Sequence, residues 1–228
     1  MTILDDIFNT SSDLVKAAKR ENASRKILRA AEDNKLSLVK SLLNDGADIN
    51  RQNKNGDTPL IGAARFGSTE TAEFLIRSGA DINRKNYKGD TALIAAARSN
   101  RPGIIKALLD KGVKVDAPNY SGETALIIAV RYGDKATVVA LLEKGANPIQ
   151  KNKQGQSLIE VANKLYRNGS DIAAILQDAI TAREKIVAEK AAAVKAEKLN
   201  DQRTNAASKQ NNLKEQLKNR PKPKIGPG

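Results

Sequence analysis

The chain has 228 residues, with 39 Lys and Arg against 26 Asp and Glu for a net charge of +13, and it contains no Cys, His or Trp. Those absences exclude disulfides, thiolate nucleophiles, zinc held by Cys or His, and every imidazole-dependent triad, leaving carboxylate chemistry formally open. No apolar run approaches the roughly 18 residues that a membrane span needs. MTILDDIFNT opens on acids rather than a basic segment, so it does not read as a secretory signal. The expected setting is the cytoplasm; an effector exported without a cleaved signal has the same composition.

Taken in chain order, residues 1–23 are expected to supply N-terminal capping helices, one or two short ones, with Leu14, Val15 and Ala18 covering the near end of the segment that begins at Ser24. From Ser24 a 33-residue repeat organises the chain: Gly56, Gly89, Gly122 and Gly155 keep that interval, as do Gly46, Gly79, Gly112 and Gly145. Thr58, Thr91, Thr124 and Ser157 form another column, and Ala63, Ala96, Ala129 and Ala162 a further one. A fixed period in unlike residue types is the mark of a stacked repeat. The units fall near 24–52, 53–85, 86–118, 119–151 and 152–180.

Each unit reads as helix, tight turn, helix, loop. Thr58 is an N-cap and Pro59 an N1 residue, where a missing N–H costs nothing. The first helix ends at Asn34, Gly67, Asn100 or Gly133, the two residue types that best tolerate a left-handed backbone. A second helix with apolar residues at helical spacing (Ala72, Leu75, Ile76) stops at Gly79, and an extended stretch, Ala80 to Asn83, leads to the next turn. The fifth unit is degenerate. It has one extra residue in the turn around Lys164–Gly169, and a second helix from near Asp171 with Ile172, Ile175, Leu176 and Ala179 as its buried stripe. Residues 181–200 form a charged Ala/Lys/Glu helix with only a weak apolar seam at Ile186, Val187 and Val194. Residues 201–228 are expected to be a basic disordered tail, and 181–228 together hold 12 Lys and Arg against 5 Asp and Glu.

Gly56-Asp57-Thr58-Pro59-Leu60 and Gly79-Ala80-Asp81-Ile82-Asn83 resemble the turn and closing motifs of the ankyrin repeat family, and the resemblance extends over residues 24–180. It implies an all-α solenoid of about five helix-turn-helix units, with capping helices and an extended C-terminal helix and tail. It also implies protein–protein recognition as scaffold, adaptor or inhibitor. Ile61, Ile94, Ile127 and Glu160 stand where the family carries a His that braces adjacent turns, so apolar packing is expected to take over that role.

The family's concave surface is built from turn tips and first helices. Carried over by position, it holds Arg65, Phe66, Tyr87, Lys88, Arg98, Tyr120, Arg131 and Tyr132 as candidate partner-binding residues. Tyr and Arg are enriched where interfaces carry their energy. Arg65, Arg98 and Arg131 place one like charge per repeat, for which Asp57, Asp90 and Glu123 are the nearby counter-charges. The expected function is non-catalytic binding of another protein through an acidic segment, by a monomer, with no cofactor, no metal and no membrane span. Nucleic-acid or ribonucleoprotein association through the basic tail is the second reading, supported by charge and lacking an aromatic stacking platform.

Overall fold

The structure is a computed structural model that describes residues 3–166 and 171–218. Among the described residues there are ten α-helices and no strand: α1 (Ile3–Glu32), α2 (Leu36–Asn44), α3 (Pro59–Phe66), α4 (Thr69–Arg77), α5 (Ala92–Arg98), α6 (Pro102–Asp110), α7 (Ala125–Tyr132), α8 (Lys135–Glu143), α9 (Leu158–Leu165) and α10 (Asp171–Lys218). The chain divides between Ala179 and Ile180 into a repeat body and the remainder of α10.

In the repeat body, the first helices pack side by side as α1, α3, α5, α7 and α9, and the second helices as α2, α4, α6 and α8. The sequence explains the local geometry. The hydroxyls of Thr58, Thr91 and Thr124 accept hydrogen bonds from the backbone N–H of Ile61, Ile94 and Ile127 at 3.2, 3.3 and 3.3 Å. Ser157 closes a reciprocal capping box with Glu160. The turn between paired helices is left-handed at Asn34, Gly67, Asn100 and Gly133, with φ of 55, 86, 51 and 71°, as the alternation of Gly and Asn in that column predicts.

Packing is set by the small first-helix residues. Ala63, Ala64, Ala96 and Ala129 are wholly buried. Having no side chain beyond Cβ, they let adjacent helices close on a layer of Leu60, Ile61, Leu93, Ile94, Leu126 and Ile127, none more than 2% exposed. Each such side chain contributes about 1.5–3 kcal/mol by leaving water. The closing motifs are wired between units as well. Asn50 Oδ1 accepts from the Asp81 N–H, Asn83 Oδ1 from Lys114, and Asp116 Oδ1 from Asn147, at 2.8, 2.8 and 3.0 Å. The N-terminal unit does the same with Ser24 Oγ, which accepts from the Asp48 N–H at 2.9 Å.

Two elements differ from expectation. The short capping helices expected over residues 1–23 are instead part of one 30-residue helix, α1, which runs into the first repeat without a break. Residues 3–32 contain neither Gly nor Pro, so nothing stops it. Leu14, Val15 and Ala18 are not buried: residues 13–20 are exposed, Leu14 by 71% and Val15 by 68%, and from residue 13 onward the first buried side chain is Ala23. At the other end, α10 continues past Asn200, where an irregular tail is expected, to Lys218. Polarity suggests disorder there, but the segment is rich in Ala, Lys, Gln and Leu, and the first Pro is Pro221. In the repeat body α10 buries Ile172, Ala173 and Leu176, with Ile175 and Ala179 half-buried. The extra turn residue expected near Gly169 and the segment 219–228 lie outside the described residues.

Candidate partner-binding face

Each turn tip is built around an Asn. Asn86 Oδ1 accepts from the backbone N–H of Lys88 and of Asp90, both at 2.9 Å. Asn53, Asn119 and Asn152 hold their own tips in the same way. The amide nitrogen then reaches back to the preceding unit: Asn86 Nδ2 donates to Asp57 Oδ1 at 2.7 Å, and Asn119 Nδ2 to Asp90 Oδ1 at 2.8 Å. At the last described tip, Asn152 Nδ2 turns instead to Gln156 Oε1 at 3.0 Å. Sequence reasoning misses this column, although Asn53, Asn86, Asn119 and Asn152 keep the 33-residue spacing.

The arginine row meets the same carboxylates from the first helices. Arg65 donates two hydrogen bonds to Asp57, at 2.6 and 2.9 Å. Arg98 donates two to Asp90, at 2.9 and 3.3 Å, and one to Glu123 at 3.3 Å. Arg131 donates to Glu123. Asp57 and Asp90 are buried, while the three arginine side chains stay 37, 38 and 41% exposed. The row of like charges is therefore compensated within the chain. A polar ladder of Arg, Asp and Asn braces the adjacent tips, correcting the expectation that apolar packing does so. Ile61, Ile94 and Ile127 lie in the core beneath.

Backbone and aromatic contacts tie the tips further. The Tyr87 N–H donates to the Asn55 carbonyl and the Tyr120 N–H to the Lys88 carbonyl, both at 3.1 Å. The rings of Tyr87 and Tyr120 lie against Gly56 and Gly89 of the preceding tips. Lys85 Nζ sits 5.8 Å from the Tyr120 ring centroid. Even so, Tyr87 remains 66% and Tyr120 72% exposed. At the ends of α3 and α7, Phe66 and Tyr132 are 55 and 60% exposed.

Of the candidate residues, the structure brings Arg65, Lys88 and Arg98 onto common ground. One groove is lined by Asn55, Asp57, Arg65, Asn86, Lys88 and Arg98, so tips and first helices share it. A second, further along, joins Arg131 with Gln154, Gln156, Lys164 and Leu165. Leu165 occupies the repeat position of Phe66 and Tyr132. Among the described residues no cluster of acids is arranged to hold a metal ion, and no helix is long and apolar enough to cross a membrane.

Electrostatics at the last rung carries a pH signature. Burial pushes the Glu123 carboxyl up, but Arg131, Arg98 and Asn119 outweigh it and hold it below its ordinary value of 4.5. A carboxyl depressed on folding stabilises above its unfolded value, and that stability is lost as pH falls through its folded value. Urea titrations of the wild type and Glu123→Gln should therefore show a gap at pH 7 that closes as the pH drops below 4.5. A gap that stays constant down to about pH 3 is the contrary result.

Stacked helix-turn-helix units, braced tip to tip and presenting an open face rather than a closed cavity, define a helical repeat solenoid of the protein-recognition class. The family model for ankyrin repeats (3 copies) matches residues 27–119 and 79–152, more than half of the sequence, and the chain belongs to the ankyrin repeat family. Ankyrin repeats generally mediate protein–protein interaction, and the family is typically non-catalytic. Among curated proteins, none matches this chain.

Proposed function

We propose that the chain is a non-catalytic recognition module that holds a segment of another protein on the face formed by its turn tips and first helices. Phe66, Tyr87, Tyr120 and Tyr132 are the contacts that supply buried area. Lys88, Arg65, Arg98 and Arg131 receive the partner's carboxylates. The observation that carries this reading is the placement of the aromatics. The chain has seven Phe and Tyr in all, and four of them, two at turn tips and two at first-helix ends, are more than half exposed. Exposed aromatics that a monomer does not need for its core are the common anchors of interfaces. The arginines retain N–H groups beyond those spent on Asp57, Asp90 and Glu123, because a guanidinium carries five.

The test uses the tyrosines, since removing Arg65 or Arg98 leaves a buried carboxylate without its cation. Capture from nuclease-treated lysate on the intact chain should retain a stoichiometric protein. The Tyr87→Ala/Tyr120→Ala chain should bind that protein at least about 30-fold more weakly, from two anchors worth more than about 1 kcal/mol each. Circular dichroism of the variant should be unchanged. If capture from untreated lysate ignores both tyrosines and is lost on nuclease treatment, or when the cations of residues 183–218 are neutralised, the basic C-terminal segment is the functional end. Its binding would then fall steeply with salt.

A further inference from the structure

The carboxylates of the turn tips stop one unit before the cations do. Asp57, Asp90 and Glu123 keep the 33-residue interval, and the next residue in that column is Gln156. The cation column runs on through Arg65, Arg98, Arg131 and Lys164. Each arginine is paired with the carboxylate of its own tip. Lys164 has only the Gln156 amide in its own tip; it is exposed and forms no ion pair among the described residues. The last tip, Asn152–Gln156, is also less tightly joined than the others. The N–H groups of Tyr87 and Tyr120 donate to the preceding tips, but among the described residues no bond links the Lys153 N–H to the Ser121 carbonyl. Asn152 gives its amide to Gln156, and Glu123 is held by Arg98 and Arg131 instead. With both cross-links missing, the last junction opens into a groove of about 430 Å³, against about 190 Å³ for the groove between the tips of Asn53 and Asn86.

The lining of this groove selects its occupant. Arg131 and Lys164 meet there with the amides of Gln154 and Gln156, and Val161 and Leu165 supply apolar surface. Tyr166 Oη donates to the Arg131 carbonyl at 2.8 Å, which fixes the end of α9 against the end of α7. The one acid in the lining, Glu123, is already answered by Arg131, so Lys164 leaves the groove with unspent positive charge. An ammonium in a groove is partly shielded from water, where a matching carboxylate gains more than it does on open surface. Leu165, 49% exposed, offers an apolar contact beside it. On the reading that this face binds a protein segment, we infer that the groove at the last tip takes an Asp or Glu side chain of that segment together with an apolar neighbour. The partner supplies the carboxylate that the repeat omits at Gln156. Lys164 receives it, and the neighbouring side chain lies on Leu165.

The probe is acetyl-Leu-Glu-Leu-amide, followed through the backbone amide resonances of the labelled full chain at peptide concentrations up to about 10 mM. Saturable shifts should fall on Gln154, Gln156, Lys164 and Leu165. Acetyl-Leu-Gln-Leu-amide should bind about 5-fold more weakly. Lys164→Gln should bind the two peptides alike. Gln156→Glu should do the same, because it fills the acid's place from within, and its urea midpoint should equal or exceed that of the wild type, so a damaged fold is not the cause. The inference is overturned if no saturable shift appears at the last tip, if the wild type binds both peptides equally, or if the preference for Glu survives Lys164→Gln. The broader reading fails separately. A lysate protein that depends on Tyr87 and Tyr120, yet is held equally well by Lys164→Gln and Gln156→Glu, keeps the recognition face and removes this groove from it. Capture indifferent to both tyrosines, with the peptide preference intact, removes the extended face and keeps the groove.

Discussion

Arg65→Ala is expected to destabilise the repeat body by about 3 kcal/mol, and by more than Asp57→Ala does. The asymmetry comes from burial. Asp57 is 1% exposed and accepts from Arg65 twice and from Asn86 once. Without the guanidinium its carboxylate stays in a dry site with one amide donor, and an unpaired buried charge is among the costliest single lesions. Arg65 is 37% exposed, so in Asp57→Ala it can turn to water. The remaining cost, about 2 kcal/mol, falls on Asn86, which is 2% exposed and loses its acceptor. Once Asp57 is gone, Arg65 has no further role in the brace. The double variant should therefore be about as stable as Asp57→Ala alone, a coupling of about 2–3 kcal/mol. Arg65→Lys should recover only part of the loss, since an ammonium cannot make the paired, planar contact. Urea unfolding of the wild type and the four variants at pH 7 measures all of this. Costs that simply add, or an Arg65→Ala chain within about 0.5 kcal/mol of wild type, mark the pair as an ordinary surface salt bridge instead.

That rung shows where a one-dimensional reading of the repeat stops. The columns of Thr58, Thr91 and Thr124, of Ala63, Ala96 and Ala129, and of Gly or Asn at the helix turn translate directly into caps, close packing and left-handed turns, because each acts on its own neighbourhood. Arg65 and Asp57 are eight residues apart, on a helix end and a turn tip, and Asn86 arrives from 29 residues further on. No helical or strand period links them, so sequence can name Asp57, Asp90 and Glu123 as counter-charges to the row, but not the asparagines that join Asp57 and Asp90 to the next unit. The asparagine column is periodic, but at a tip Asn passes as a turn former. The reach of its amide to the preceding unit exists only once the units stack. The lengths of α1 and α10 fail to show for another reason: neither 3–32 nor 171–218 contains Gly or Pro, and polar composition is a weak stop signal beside strong helix propensity. The aromatic positions are legible as surface because the resemblance places them on tips and first helices. Their exposures, and the packing of Tyr87 and Tyr120 on glycine, are not.

That packing separates two glycines that look identical in sequence. Gly89 and Gly122 occupy the same column, with φ of 79 and 71°. Replacing either by Ala places a Cβ in the left-handed region at about 1–2 kcal/mol. Their surroundings differ. A Cβ on Gly89 would lie 2.5 Å from the Tyr120 backbone nitrogen and 2.9 Å from its ring Cδ1, whereas one on Gly122 meets nothing within 4 Å. The Tyr120 nitrogen cannot retreat without giving up its 3.1 Å hydrogen bond to the Lys88 carbonyl, so the clash is with backbone that is already committed. Gly89→Ala should therefore cost about 3 kcal/mol or more, and Gly122→Ala about 1 kcal/mol. Urea midpoints of the two variants measure the difference. Gly89→Ala should also shift the fluorescence and ring-proton resonances of Tyr120, which Gly122→Ala should leave in place. If the two substitutions cost the same, backbone handedness alone accounts for the column. If Gly89→Ala is the costlier, the glycine at 89 is there so that its tip can accept Tyr120 from the next. The stacking that stiffens the loops is then the same contact that holds Tyr120 on the open face.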